Sequence, residues 1–218
     1  MKLSLGQKAA LIIFLVLLID QSVKFWIKLH MFPGESIHVL GDKFIIHFTE
    51  NPGMAFGMRF GGSLGKLVLS SFRILAVGGI GYYLVHLVKT KAHVGLIISI
   101  ALILAGAVGN ILDSAFYGLL FNKGSVYSPE LNDWISYTGI AQIGSPGYAG
   151  FLKGSVVDML YFPIIDGHYP SWFPFVGSDQ FVFFRPVFNI ADSSITIGVF
   201  IILLFQKRFF KHEKDQEN

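Results

Sequence analysis

The apolar run from Val187 to Phe205 is long enough to cross a bilayer, yet it holds Asn189 and Asp192 near its start. On a helix, side chains three residues apart share a face, so these two are expected together. A carboxylate inside hydrocarbon is costly and calls for a partner or a task. Asp158, in Val156-Val157-Asp158-Met159-Leu160, is a second carboxylate at the edge of apolar sequence and the natural partner.

Three further apolar runs, about 9–29, 67–88 and 94–119, join the one over 187–205. With 53% hydrophobic and 14% charged residues, the chain is too apolar for an ordinary soluble domain. The expected fold is an α-helical polytopic membrane protein: four transmembrane helices in one membrane-embedded domain over 1–218. Two outer segments, about 30–66 and 120–186, interrupt the spans. The first holds β-like runs such as Lys43 to Phe48, and the second is an enlarged loop lobe rich in Gly, Pro and Ser, with Trp134 and Trp172 expected near the headgroups. Weak apolar periodicity marks its part from Leu120 to Gly154 as surface structure, more dispensable for folding than the spans. Lys2 and Lys8 before a short apolar core imitate a signal peptide, but no small-x-small site follows, so the first span is expected to stay uncleaved.

Charge sets the expected orientation. Lys2, Lys8, Lys89, Lys91, Lys207, Arg208, Lys211 and Lys214 fall on one side of a four-span chain, and that side is cytoplasmic by the positive-inside rule. Both termini are then inside, and the polar ends of the spans open outward. Basic residues between spans explain the net charge of +3 without a nucleic-acid partner. The chain has no cysteine, which excludes disulfides, thiol catalysis and thiolate metal sites.

Polar residues recur where the spans meet the outer segments. Asp20 and Lys24 are four apart and can pair; an interfacial ion pair and a functional role are both open. Glu50-Asn51-Pro52-Gly53 suits a turn at the membrane surface. An ordinary turn is the plainer account, and Asn51 holding an extended peptide the functional one. Arg73, in the second span, can snorkel or reach a polar site. Asn110 and Asp113 repeat the spacing of Asn189 and Asp192 at the same end of another helix, the strongest site signal in the chain.

Two chemistries fit. Close carboxylates in a low-dielectric site share a proton, so one can activate water while the other polarises a scissile carbonyl. The same cluster would also serve a proton-coupled membrane transporter, and the residues alone leave the two open. Transporters usually show more spans and repeated halves with mid-membrane breaks. A metal held by Asp113, Asp158 and Asp192 fits less well, with no histidine beside them. No His-Glu-x-x-His pattern occurs.

Five segments in order resemble the lipoprotein signal peptidase (signal peptidase II) family, aspartyl membrane peptidases of bacterial inner membranes. They are Asp20-Gln21-x-x-Lys24, Asn51-Pro52-Gly53-Met54-Ala55-Phe56-Gly57, Gly109-Asn110-Ile111-Leu112-Asp113, Val156-Val157-Asp158, and Phe188-Asn189-Ile190-Ala191-Asp192-Ser193. The resemblance implies an aspartic endopeptidase with Asp158 and Asp192 as its catalytic pair and no cofactor. It implies that Asn51, Asn110 and Asn189 position the peptide, with Gly53 in the same outer motif, and that Asp20, Lys24 and Asp113 support the site. The implied substrate is a diacylglyceryl-modified prolipoprotein cut before its lipidated cysteine. Membrane lipids surround a monomer, and globomycin-type cyclic peptides are expected inhibitors. Two departures stand out. Ser114 replaces an arginine usual in the family, leaving Arg73 and Arg185 to substitute, and the connections around Asp158 are longer than the family norm.

Overall fold

The computed structural model describes residues 3–53, 62–163, 165–168, 180–183 and 186–210, with backbone alone for 62–63, 165–168 and 180–183. Met54 to Phe56, Trp172 and Arg185 lie outside these residues. Among the described residues, four helices are long and apolar enough to cross a membrane, as the hydropathy pattern predicts.

Helix α1 (Leu5–His30) starts before the expected boundary because Ser4 and Gln7 form a reciprocal capping box. The Ser4 hydroxyl accepts from the Gln7 amide, and the Gln7 side chain accepts from the Ser4 amide, satisfying two amides that the first turn would leave open. Helix α2 (Gly62–Lys89) leads through a tight turn to α3 (Val94–Leu112), which His93 caps by accepting from the Gly95 amide. Helix α3 packs against the other three spans. It continues as a π-helical turn over Asp113–Tyr117 and a last α-turn, α4 (Gly118–Leu120). That widening begins at a site residue, and single π turns recur at functional positions.

Helix α5 (Ile190–Phe209) corrects an expectation. Asn189 and Asp192 do not share a face of one helix: Asn189 is the N-cap, with extended backbone, and Asp192 is the third helical residue. They form a second capping box, the Asn189 side chain accepting from the Asp192 amide at 2.9 Å and the Asp192 side chain from the Asn189 amide at 3.2 Å. The physical reason is that Asn favours caps over helix interiors, and an acidic group suits the positive end of a helix.

Above the spans, β1 (Ser36–His38), β2 (Ile45–Asn51) and a later strand over Val156–Tyr161 form an antiparallel sheet with β2 central. The lobe inserted between α4 and that later strand holds the hairpin β3 (Val126–Ser128) and β4 (Asp133–Ile135). The strand over Val156–Tyr161 is therefore β5, and β6 (Ile165–His168) and β7 (Gln180–Phe183) pair after it. Thr49 lies opposite Asp158 and Asn51 opposite Val156, so the sheet brings the Asn51 turn alongside the strand that bears Asp158.

The lobe is not the dispensable surface that its composition suggests. Its Phe121 and Ala141 are fully buried in one cluster with Ile27 and Met31 of α1, Phe48 of β2, Tyr117, and Val157 and Met159 of β5. Tyr137 and Tyr148 pack against the same cluster. A few large side chains at irregular spacing do this, which a periodicity argument cannot detect.

Candidate active site

The site stands where the C-terminal parts of α1 and α3 and the N-terminal end of α5 meet β5. Two glycines allow that meeting. A Cβ on Gly106 would lie 2.2 Å from the Ala191 carbonyl oxygen, and one on Gly109 would lie 2.8 Å from Asp20 Oδ2. The first turn of α5 thus seats directly on α3.

Asp158 is 4% exposed and Asn189 0%. Asn189 Nδ2 donates to Asp158 Oδ1 at 2.6 Å and to Asn110 Oδ1 at 3.0 Å. Asn110 Nδ2 donates to Asp192 Oδ1 at 2.8 Å. The two asparagines therefore bridge the two carboxylates, an arrangement open to neutral groups that both donate and accept. Burial first, and then the charge of nearby Asp192, push the Asp158 carboxyl up to about 8. The Arg73 guanidinium interacts electrostatically with Asp192 and Asp158 from α2.

A fully buried charged layer lies beneath. Lys24 Nζ pairs with Asp20 at 3.0 Å and with Asp113 at 2.9 Å, and it donates to Asn110 Oδ1 at 3.1 Å. Both acids then grip backbone next to the carboxylate pair. Asp113 Oδ2 accepts from the Val157 amide at 3.2 Å, one residue before Asp158. Asp20 Oδ1 accepts from the Ala191 amide at 2.9 Å, one residue before Asp192. The expected Asp20–Lys24 ion pair forms, with neither side chain exposed.

Gln21 was visible in the first motif, but its contacts were not. Its Nε2 donates to Asp113 Oδ1 at 2.9 Å and its Oε1 accepts from the Tyr117 hydroxyl at 3.2 Å. Lys28, and any part for Glu50 beyond the Asn51 turn, escaped sequence reasoning. They form a buried ion pair, Lys28 lies over the rings of Tyr137, Tyr148 and Phe121, and Glu50 Oε2 accepts from the Ser125 amide at 2.6 Å. The available signal was the charge column of Asp20, Lys24 and Lys28 at four-residue spacing on one helix face. Asn51 stands apart from the bridge of asparagines. Its Oδ1 accepts from the Gly53 amide at 2.9 Å, and Gly53 takes φ +105°, a turn geometry that favours glycine. Ser114 is buried and donates to the Asn110 carbonyl at 3.2 Å, so it does none of an arginine's work.

Four apolar spans converge on paired carboxylates, and the sequence pattern of the signal peptidase (SPase) II family matches residues 12–208. The chain belongs to the signal peptidase II family. A lipoprotein signal peptidase of Porphyromonas gingivalis is 45% identical over 95% of this chain and 86% of its own length. Another, from Amoebophilus asiaticus, is 37% identical over 87% of this chain and 73% of its own. Among solved structures, a bacterial membrane enzyme determined in meso at 2.3 Å superposes with a TM-score of 0.57 at 25% identity, over 95% of this chain and 92% of that one. Membership in the signal peptidase II family makes the chain a peptidase of a bacterial membrane, and nothing supports the transporter alternative.

Proposed function

We propose that this signal peptidase II cleaves by aspartyl chemistry, with Asp158 as the protonated partner and Asp192 as the base that activates water. The observation behind this assignment is the raised Asp158 pKa of about 8 beside a second carboxylate that two asparagines tie to it. Asp158 donates its proton toward the scissile carbonyl oxygen while Asp192 takes one from the attacking water. The resulting gem-diol collapses with cleavage of the C–N bond as the proton held by Asp192 passes to the leaving amine and one diol hydroxyl returns its proton to Asp158, which restores both groups. Asn189 occupies one oxygen of Asp158, leaving the other to face substrate. The titration belongs to the pair acting together.

Signal-peptide removal from prolipoproteins follows from the family, and the substrate is a prolipoprotein already bearing diacylglycerol, cut before the lipidated cysteine. Asn51 and Gly53, beside β5, contact the extended peptide, and Arg73 supplies the positive charge that Ser114 lacks. Arg185, outside the described residues, is the other candidate for that charge. The protein works as a monomer in the inner membrane, with both termini cytoplasmic and the site near the outer face. Globomycin-type cyclic peptides inhibit it by occupying the same cleft.

The test is cleavage of a diacylglyceryl-modified prolipoprotein in detergent or liposomes, beside its unlipidated counterpart and a chelator arm. Asp158→Asn and Asp192→Asn should each lower turnover by at least about 10³-fold, and the double variant should fall little further, because the pair acts as one unit. Asp113→Asn, which removes support rather than chemistry, should leave measurable turnover. Robust cleavage by either catalytic variant would remove the dyad assignment, and loss of activity with chelator would make the enzyme metal-dependent.

A further inference from the structure

Between α2 and the lobe lies a cavity of about 270 Å³ lined by Lys66, Lys153, Tyr127, Trp134 and Tyr148, among others. Lys66 is 5% exposed, and its ammonium lies 4.6 Å from the Trp134 ring centroid and 3.3 Å from Ser155 Oγ. A buried ammonium normally has an anionic partner. Among the described residues, no carboxylate lies within ion-pair distance of Lys66, and the nearby Glu50 is already paired with Lys28. Two buried ammoniums thus lie near one carboxylate, which Lys28 already holds, and Lys153 adds a third positive charge at the cavity wall. The catalytic carboxylates use none of the three.

We propose that this cavity is a subsite for an acidic side chain of the substrate peptide, an aspartate or glutamate within about three residues of the scissile bond. Position sets that distance. Ser155, which accepts from Lys66, precedes Asp158 by three residues, so the subsite and the catalytic carboxylate are separated by at most about 10 Å of backbone. An extended substrate spans the same gap in about three residues. A carboxylate in the cavity would meet the Lys66 ammonium in a largely desolvated setting, with Lys153 as the second cation.

The surroundings favour a peptide over a phospholipid headgroup. Lys66 and Ser70 are buried on the inward face of α2, whereas Leu64, Val68 and Phe72 are exposed on the opposite face, where lipid lies. The helix itself stands between bilayer lipid and the ammonium. The facing wall comes from the lobe hairpin β3–β4, through Tyr127 and Trp134, not from a membrane-spanning surface.

This inference rests on the substrate and chemistry proposed above. Its test uses the full chain and diacylglyceryl prolipoproteins carrying one Asp, or Asn at the same place, at each position within four residues of the cut. The readout is the Asp-to-Asn ratio of kcat/KM. In the unmodified protein that ratio should reach about tenfold at one position, the scale of a charge-assisted hydrogen bond, and fall as salt is raised. It should drop to about one in Lys66→Met, return in Lys66→Arg, and weaken in Lys153→Gln. Turnover of the Asn substrates with a flat ratio everywhere would overturn the subsite while leaving the peptidase intact. A ratio that survives both Lys66→Met and Lys153→Gln would also overturn it. If Lys66→Met fails to fold, Lys153→Gln and the salt series decide, and a ratio unmoved by both refutes the proposal. No cleavage of any substrate would remove the peptidase function, and the subsite with it. A flat ratio together with phosphatidylglycerol binding lost in Lys66→Met would reassign the cavity to lipid.

Discussion

At the scale of single residues, the proposed chemistry depends on keeping one proton on a buried carboxyl. Asp158 has its pKa raised to about 8 by burial and by Asp192. Its protonated form is therefore favoured in the folded chain relative to an unfolded chain, where an aspartate titrates near about 3.9. Stability from this group is fully present below about pH 4, declines as pH rises, and levels off above the folded pKa of about 8. Activity should follow the same proton. The prediction is a kcat/KM that falls above about pH 8 with a slope of one proton, measured on a lipidated prolipoprotein in a buffer series of constant ionic strength. A profile flat to pH 10 would mean that Asp158 does not serve as the acid.

At the scale of elements, the site exists because α5 starts flush against α3. Gly106 is the contact point, since a Cβ there would meet backbone, the Ala191 carbonyl, which cannot swing away as a flexible side chain could. Gly106→Ala should therefore shift the start of α5, with a stability loss of about 1–3 kcal/mol, typical of overpacking. It should also cost activity out of proportion to that loss, because Asp192 sits on the displaced turn. The check is thermal unfolding in detergent alongside cleavage. As a control, Gly78→Ala in α2 adds a methyl where no atom lies within 4 Å, and it should leave both nearly unchanged. The buried layer of Asp20, Lys24 and Asp113 is the second device at this scale. It grips the Val157 and Ala191 amides, each one residue before a proposed catalytic carboxylate.

At the scale of the whole molecule, the lobe and the spans share a core. Phe121, Tyr137, Ala141 and Tyr148 pack with α1 and β5, and Lys28 of α1 lies over three lobe rings. Replacing 122–147 with a short Gly/Ser linker should therefore destabilise the protein and expose the Lys28–Glu50 pair. Turnover and membrane-extracted monodispersity should be lost together, whereas a merely accessory lobe would permit normal extraction with altered substrate choice.

Much of this was legible in sequence. Hydropathy identified four spans because a bilayer demands long apolar helices, and that demand overrides most local preferences. The repeated Asn-x-x-Asp spacing picked out Asn110, Asp113, Asn189 and Asp192 because side chains that are costly in hydrocarbon persist only where something uses them. The sequence could not reveal how the two pairs differ. One lies along α3 and the other forms a cap, a distinction made by where a helix begins. Lys28 and Glu50 meet from 22 residues apart, and Ser125 joins them from a lobe without periodicity. Such contacts arise when distant segments close around a shared core, so only the tertiary structure decided them. The same closure brought Asp158 from a strand and Asp192 from the first turn of a helix to one pair of asparagines.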